Sequence, residues 1–312
     1  MKFLGGLADL FSIAAVVVAA EDACEQLWLE NGFLDVDRVL QYCPSSSTRC
    51  LLAPSNLRDG QLVEQPVRIV LTAGRLGDQM VLMADGLAGH EHDFYRYVKS
   101  SPWLGGTQEY SPLNEGFPYW FNGLVPLAYG LDDERLKTQV LSAADYIINH
   151  AAPDGWIGPE NSTKTRNFWA RYPAFLGLTQ LLEADPSQAS TIIPAMHKFF
   201  GLMHSMLADN YTGYITHPGD VFDAQWGRAR FQDMIITLQW MYENYPENNT
   251  QILLDNMKYL NDIAFDWAAW YNPDTFIKQD LDTVPLHITV ENFQFEHGVN
   301  AGQGSLPWCG LI

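Results

Sequence analysis

From residue 75 to residue 269 the chain repeats one pattern, and that pattern restricts its fold more than any other feature. Apolar residues recur every three or four positions, stop at a short polar turn, and resume. Such a period places them on one stripe of an α-helix. The pattern is clearest in EGFPYWFNGLVPLAYGLDDERLKTQVLSAADYIINHAAPDGWIGPE (115–160). Tyr119 to Tyr129 is apolar at helical intervals, and so is Leu136 to Ile148, with the polar turn Asp132-Asp133 between them. The periodicity predicts helices near 75–98, 119–131, 133–150, 167–184, 187–207, 226–244 and 249–269. Turns at Asp132, Asp185 and Tyr245 lie roughly 55 residues apart, the length of a helix–turn–helix unit with its return loop. The fold class is therefore all-α, an (α/α) helical-hairpin toroid. Six hairpins need about 330 residues at this spacing. Three complete hairpins and parts of two more are legible here, so the ring is expected to be incomplete.

The longer loops, 151–166, 208–226 and 270–297, carry the polar and aromatic residues. Loops gathered on one face of a helical scaffold are where binding and chemistry concentrate. Trp103, Glu115, Tyr119, Trp120, Asp154, Trp156 and Glu160 cluster at one end of the 115–160 hairpin. Aromatic faces stack on the apolar face of a sugar ring, and carboxylates hydrogen-bond hydroxyls or move protons. Glu115 stands in a glycine-rich loop with little structural work, which makes it the candidate catalytic carboxylate. Tyr119, Trp120 and Trp156 are candidate stacking platforms; for each, burial in the core is the competing reading. Asp154-Gly155 is explained by turn chemistry. Asp223 reads as a helix cap with Arg228 or Arg230 as ion-pair partner. His297 offers a sugar hydroxyl one donor and one acceptor, and a satisfied core histidine fits it equally.

Several segments carry a family likeness in one order: DQMVLMADGLAGH (78–90), PWLGG (102–106), PYWFNGLVPLAYGLDDERL (118–136), PDGWIGPE (153–160), WGRARFQDMIITLQWMYE (226–243) and EHGVN (296–300). Together they resemble the DUF1680-type proteins grouped with the glycoside hydrolase family 127 catalytic domain, the β-L-arabinofuranosidases. The likeness covers most of residues 70–303. It implies carbohydrate as substrate and Asn122 as a substrate-side residue at a position where relatives often carry Asp. It further implies a zinc-bound cysteine nucleophile, zinc held by three cysteines and a glutamate, and a second glutamate as acid/base. The family places those groups beyond the HGVN-like position, and Cys309 does not stand in a matching context. No metal ligand is therefore assigned, and no cofactor is expected in this chain.

A net charge of −19 with no Lys/Arg run argues against nucleic-acid binding. Residues 1–20, with a lone Lys2 and an apolar run ending Val18-Ala19-Ala20, read as a signal peptide too short to span a bilayer. Three sequons, at Asn161, Asn210 and Asn248, agree with secretion and glycosylation. Cys24, Cys43, Cys50 and Cys309 allow three disulfide pairings, Cys43–Cys50 being the simplest. Residues 21–74 form an N-terminal extension with a β-prone run at Pro66–Leu71. Residues 75–304 form the partial toroid, and 305–312 a tail outside the resemblance.

The reading is a secreted glycoside hydrolase-like protein acting on or binding cell-wall carbohydrate. The alternative is a catalytically inactive carbohydrate-binding remnant. An open arc would also expose helix faces and favour self-association. A terpene-cyclase toroid fails for want of an Asp-rich magnesium motif, since Asp132-Asp133-Glu134 is one short cluster at a helix start.

Overall fold

The computed structural model describes residues 57–58, 61–62, 75–222, 225–267 and 297–304. The leader, the four cysteines, Asp223 and the 66–71 run lie outside the described residues. Leu57–Arg58 (β1) pairs with Gln61–Leu62 (β2) in a two-residue antiparallel ladder within a separate small unit. Everything else described is helix and connecting turn.

The helices are α1 (Arg75–Asp85), α2 (Leu87–Phe94), α3 (Arg96–Lys99), α4 (Gly116–Leu131), α5 (Glu134–Asn149), α6 (Arg171–Ala184), α7 (Ala189–Ala208), α8 (Gln225–Ala229), α9 (Phe231–Asn244), α10 (Thr250–Asp262) and α11 (Gly298–Gly304). Single-turn 3-10 helices occupy Pro102–Leu104 and Pro186–Gln188. The expected helix over 75–98 is three pieces, because the backbone leaves helical geometry at Gly86 and Tyr95. The expected helix over 226–244 breaks at Arg230 (φ −117°, ψ 24°). The last long helix ends at Asp262, not 269. There Phe265 and Trp267 turn back, through backbone and indole N–H, onto the carbonyls of Arg228 and Ala229.

The α4–α5 turn shows why the residues at its centre are polar. Asp132 closes α4 in the left-handed region (φ 59°), where a short polar side chain is tolerated. Asp133 caps α5, its carboxylate accepting from the N–H groups of Arg135 and Leu136 at 2.9 and 3.1 Å. Apolar stripes then settle the packing. α4 packs on α6 and α6 on α9, forming one layer, while α5, α7 and α10 pack in a second layer, each touching the next. A continuous core of Phe117, Phe121, Leu136, Phe175, Phe199, Phe200 and Leu238 lies between the layers.

Candidate functional site

The N-terminal ends of α4, α6, α9 and α11 come together, and each contributes the residue at or just before its first turn. These are Glu115, Trp169, Arg230 and His297. Glu115 stands at the cap position of α4, yet its backbone is helical and its side chain caps nothing. Glu109 does that work, accepting the Gly116 N–H at 3.2 Å. The Glu115 carboxylate is thereby free to turn sideways. It accepts the indole N–H of buried Trp169 at 2.6 Å and interacts with the Tyr110 hydroxyl.

Arg230 is the hub. It is buried between the rings of Trp169 and Trp226, its guanidinium carbon 4.6 and 4.7 Å from their centroids. Its N–H groups donate to the Tyr119 hydroxyl at 2.6 Å and the Asn300 amide oxygen at 2.6 Å, and lie 3.4 Å from His297 Nδ1. The break between α8 and α9 at Arg230 is what lets the side chain enter this position. His297 packs edge-on against Trp226 at 5.0 Å. Burial and the neighbouring guanidinium hold its imidazole below the usual range, so it stays neutral at neutral pH and keeps both a donor and an acceptor. Burial raises the Tyr110 and Tyr119 hydroxyls, which therefore remain protonated donors. Asp233, one turn into α9, is buried and accepts from the Gln303 amide of α11 at 2.5 Å, and burial pushes its carboxyl up to about 6.

A second network, buried except at Asn114, holds the loop that carries Glu115. Glu160 accepts two hydrogen bonds from Arg171, at 2.8 and 2.9 Å, the indole N–H of Trp156 at 3.1 Å and the Asn114 amide at 3.0 Å. The Arg171 guanidinium stacks on both Trp156 and Trp103, and Trp103 donates to the Asn114 carbonyl at 2.6 Å. Asn114 takes a left-handed conformation (φ 55°), with Glu115 next in the chain.

The structure thus divides the residues expected at the site. Glu115, Tyr119 and His297 are brought together around Arg230. Trp120 is 94% buried, stacks on His92 and lines a cleft of about 390 Å³ beside Tyr119. Trp156 is fully buried, with both guanidiniums of Arg166 and Arg171 against its ring, and offers no open face for a sugar. Asn122 points to the neighbouring helix, where its amide oxygen accepts from Gln180 at 2.6 Å. Arg228 donates to the Ile263 carbonyl and Arg230 to the hub; the ion pair with Asp223 expected for one of them falls on a residue outside the described ones. Trp169, Tyr110, Asn300 and Asp233 escaped notice in the sequence, and Arg230 was noticed only as a candidate partner of Asp223. Trp169 and Arg230 fall inside the helices expected over 167–184 and 226–244, whereas the observed helices start just after them, at Arg171 and Phe231.

Among the described residues, no three His, Cys, Asp or Glu side chains converge as a metal site. The described residues thus hold no set that fits the zinc centre implied by the sequence resemblance, and the four cysteines lie outside them. No described helix is long and apolar enough to cross a membrane. Asn161, Asn210 and Asn248 are all exposed in turns between helices. Neither family models, curated proteins nor solved structures give a match to this chain.

Proposed function

We propose that the Arg230-centred cluster is a carbohydrate site and that the chain is a secreted glycoside hydrolase-like protein of the β-L-arabinofuranosidase type. The observation that carries this reading is the arrangement of Glu115, Tyr119, Arg230 and His297 at one set of helix N-termini. A carboxylate acceptor, phenol donors and a neutral imidazole, held by stacked rings, match the hydroxyl pattern of a sugar. Tyr110 and Tyr119 are the half-exposed rings next to Glu115. They replace Trp156 as the stacking surface. The two helix layers are read as an arc of an (α/α) toroid, with the site at the N-terminal ends of its inner helices. The sequence motifs from 78 to 300 support the same family reading.

A specific observation favours binding without turnover. Hydrolysis needs two carboxyl groups, one to protonate the leaving oxygen and one to act as nucleophile or base. Glu109 lies close enough for Glu115 to raise its pKa, but its two oxygens are engaged by the N–H groups of Tyr110 and Gly116. Asp233 is engaged by Gln303. Among the described residues Glu115 is left as the carboxylate of the Arg230 cluster, with Glu91 on the wall of the adjoining cleft.

Titration of the whole chain with methyl β-L-arabinofuranoside tests the reading. We expect binding that Glu115→Gln weakens by roughly tenfold, the loss of one charge-assisted hydrogen bond. We also expect little release of 4-nitrophenol from the aryl glycoside. Absence of binding would overturn the carbohydrate reading. Rapid turnover abolished by Glu115→Gln would replace the binding reading by a hydrolytic one. Secretion is tested alongside: expression through a eukaryotic secretory route should add glycans at Asn161, Asn210 and Asn248, read by intact mass before and after deglycosylation.

A further inference from the structure

The cleft beside Tyr119 runs between the α1–α2 corner and α4, and its size of about 390 Å³ lies within the span of small-molecule sites. Two of its walls, Tyr110 and Tyr119, are the same residues whose hydroxyls face Glu115 and Arg230. The cleft therefore continues directly from the cluster. Tyr95 and Trp120 extend the aromatic wall, and Met83, Leu124 and Leu127 supply apolar surface.

Three observations indicate what this space takes. First, Gly123 lies on its wall in the middle of α4, where glycine weakens a helix relative to alanine. A Cβ there would meet no atom within 4 Å. Gly177 on the adjacent helix is different: its Cβ would fall 2.6 Å from the Phe121 ring, so close packing explains that glycine. At Gly123 the missing side chain leaves open cleft instead. Second, the indole N–H of Trp120, a residue 94% buried, has no hydrogen-bond acceptor among the described residues. A buried donor without a partner is costly and calls for an acceptor. Third, Met83, Leu124 and Leu127 give the cleft an apolar surface with Glu91 as its one carboxylate among the lining residues, which suits a ring with a single polar group better than the several hydroxyls of a second sugar.

We infer that this cleft holds a flat aromatic aglycone bearing a hydrogen-bond acceptor, attached to the sugar seated at Glu115. The inference rests on the carbohydrate reading of the Glu115 cluster and adds the class of the second half of the ligand. The Trp120 indole N–H is enclosed behind the cleft wall, so the acceptor reaches it only if the Trp120 ring turns toward the cleft, and the aglycone ring lies against Tyr95, Tyr110 and Leu124. Gly123 is the residue that decides how large a ring enters.

Calorimetric titration of the whole chain with three probes tests this: methyl β-L-arabinofuranoside, 4-nitrophenyl β-L-arabinofuranoside and free 4-nitrophenol. The aryl glycoside is expected to bind roughly tenfold or more tightly than the methyl glycoside, the gain from burying an aromatic ring. Gly123→Phe fills the cleft and should bring that ratio down to about one. Gly123→Ala gives a smaller loss in the same direction and serves if the larger ring is not accommodated, with circular dichroism confirming the fold of each. Trp120→Phe keeps the wall and removes the donor, and should lower the ratio severalfold. Equal affinity for the two glycosides, or a ratio that Gly123→Phe leaves intact, would overturn the inference. The carbohydrate reading fails differently. Free 4-nitrophenol bound and displaced by Gly123→Phe, with neither glycoside bound more tightly than the free phenol, would remove the sugar from Glu115 and with it the glycoside part of the inference.

Discussion

Arg230 and Tyr119 are joined by a 2.6 Å hydrogen bond across 111 residues of sequence, guanidinium to phenol, at the point where α4 meets the break before α9. The bond ties α4 to the residue that precedes α9. It also sets the orientation of the half-exposed Tyr119 ring. All three hydrogen-bonding partners of this buried cation are neutral, and two indoles cover its faces.

Arg230→Lys tests how much this geometry matters. An ammonium cannot reproduce the planar fork or stack between two indoles. We expect a stability loss of about 2 kcal/mol in urea denaturation, from one charge-assisted hydrogen bond and weakened cation–π contact. We also expect loss of methyl glycoside binding, because Tyr119 and His297 lose their common anchor. Retention of wild-type affinity in Arg230→Lys would show that the hub is structural only.

The buried pair beneath the site behaves otherwise. Arg171 and Glu160 are almost inaccessible, and Glu160 answers three donors besides its charge partner's second contact: Arg171, Trp156 and Asn114. Glu160→Ala strands a guanidinium in the core and should cost about 3–5 kcal/mol, lowering the thermal midpoint sharply. Asp154, whose carboxyl Arg166 holds below its usual range, is half-exposed, and its arginine, though buried, also stacks on Trp156. Asp154→Asn should cost well under half as much as Glu160→Ala in the same melts.

Asp233 gives the fold a pH dependence. Burial sets its carboxyl at about 6 against the opposing pull of Arg230 and Gln303, while an unfolded aspartate titrates near ~3.9. The folded value is the higher one, so the fold favours the protonated form. That stabilisation is full below about pH 4 and is lost as pH rises through about 6. The gap corresponds to about 3 kcal/mol. Asp233→Asn keeps an oxygen for the Gln303 amide without the charge. Relative to wild type it should be more stable at pH 7.5, and the advantage should shrink away towards pH 4. Urea titrations at the two pH values decide it; a pH-independent difference would show that Asp233 does not titrate between them.

The helices were readable because their apolar period was strong and their turns polar: α4, α5, α6, α7 and α10 begin within a few residues of expectation. What failed was local. Gly86 and Arg230 interrupt otherwise continuous apolar stripes, and periodicity registers stripe, not backbone continuity. At the site, composition drew notice to a carboxylate–aromatic cluster but could not sort its members. Trp156 and Tyr119 look alike as large aromatics in loop-adjacent motifs. Only the fold shows that Glu160 and two arginines enclose the first, while the second keeps an open face. In the sequence Arg228 or Arg230 reads as the partner of Asp223, a residue outside the described ones. The described partners of Arg230 come from α4 and α11 and from the residue before α11, and such distances are invisible to a local reading.

Two glycines on the packed helices α4 and α6 should answer the same substitution with opposite signs. Gly123 is exposed within α4, and an added Cβ touches nothing within 4 Å. Gly123→Ala should therefore stabilise the chain by about 1 kcal/mol, the helix propensity difference alone. Gly177, buried in α6, would place its Cβ 2.6 Å from the Phe121 ring and 3.3 Å from the Asn122 Cα. Either the ring or the helix axis must move, and moving the axis pulls on the Gln180–Asn122 hydrogen bond that clasps α4 to α6. Overpacking of this kind costs about 1–3 kcal/mol, more than propensity returns. Gly177→Ala should therefore lower the urea midpoint while Gly123→Ala raises it, both with slopes close to wild type. A destabilised Gly123→Ala would mean that its cleft is closed in solution, and would remove the space that the aromatic ligand requires.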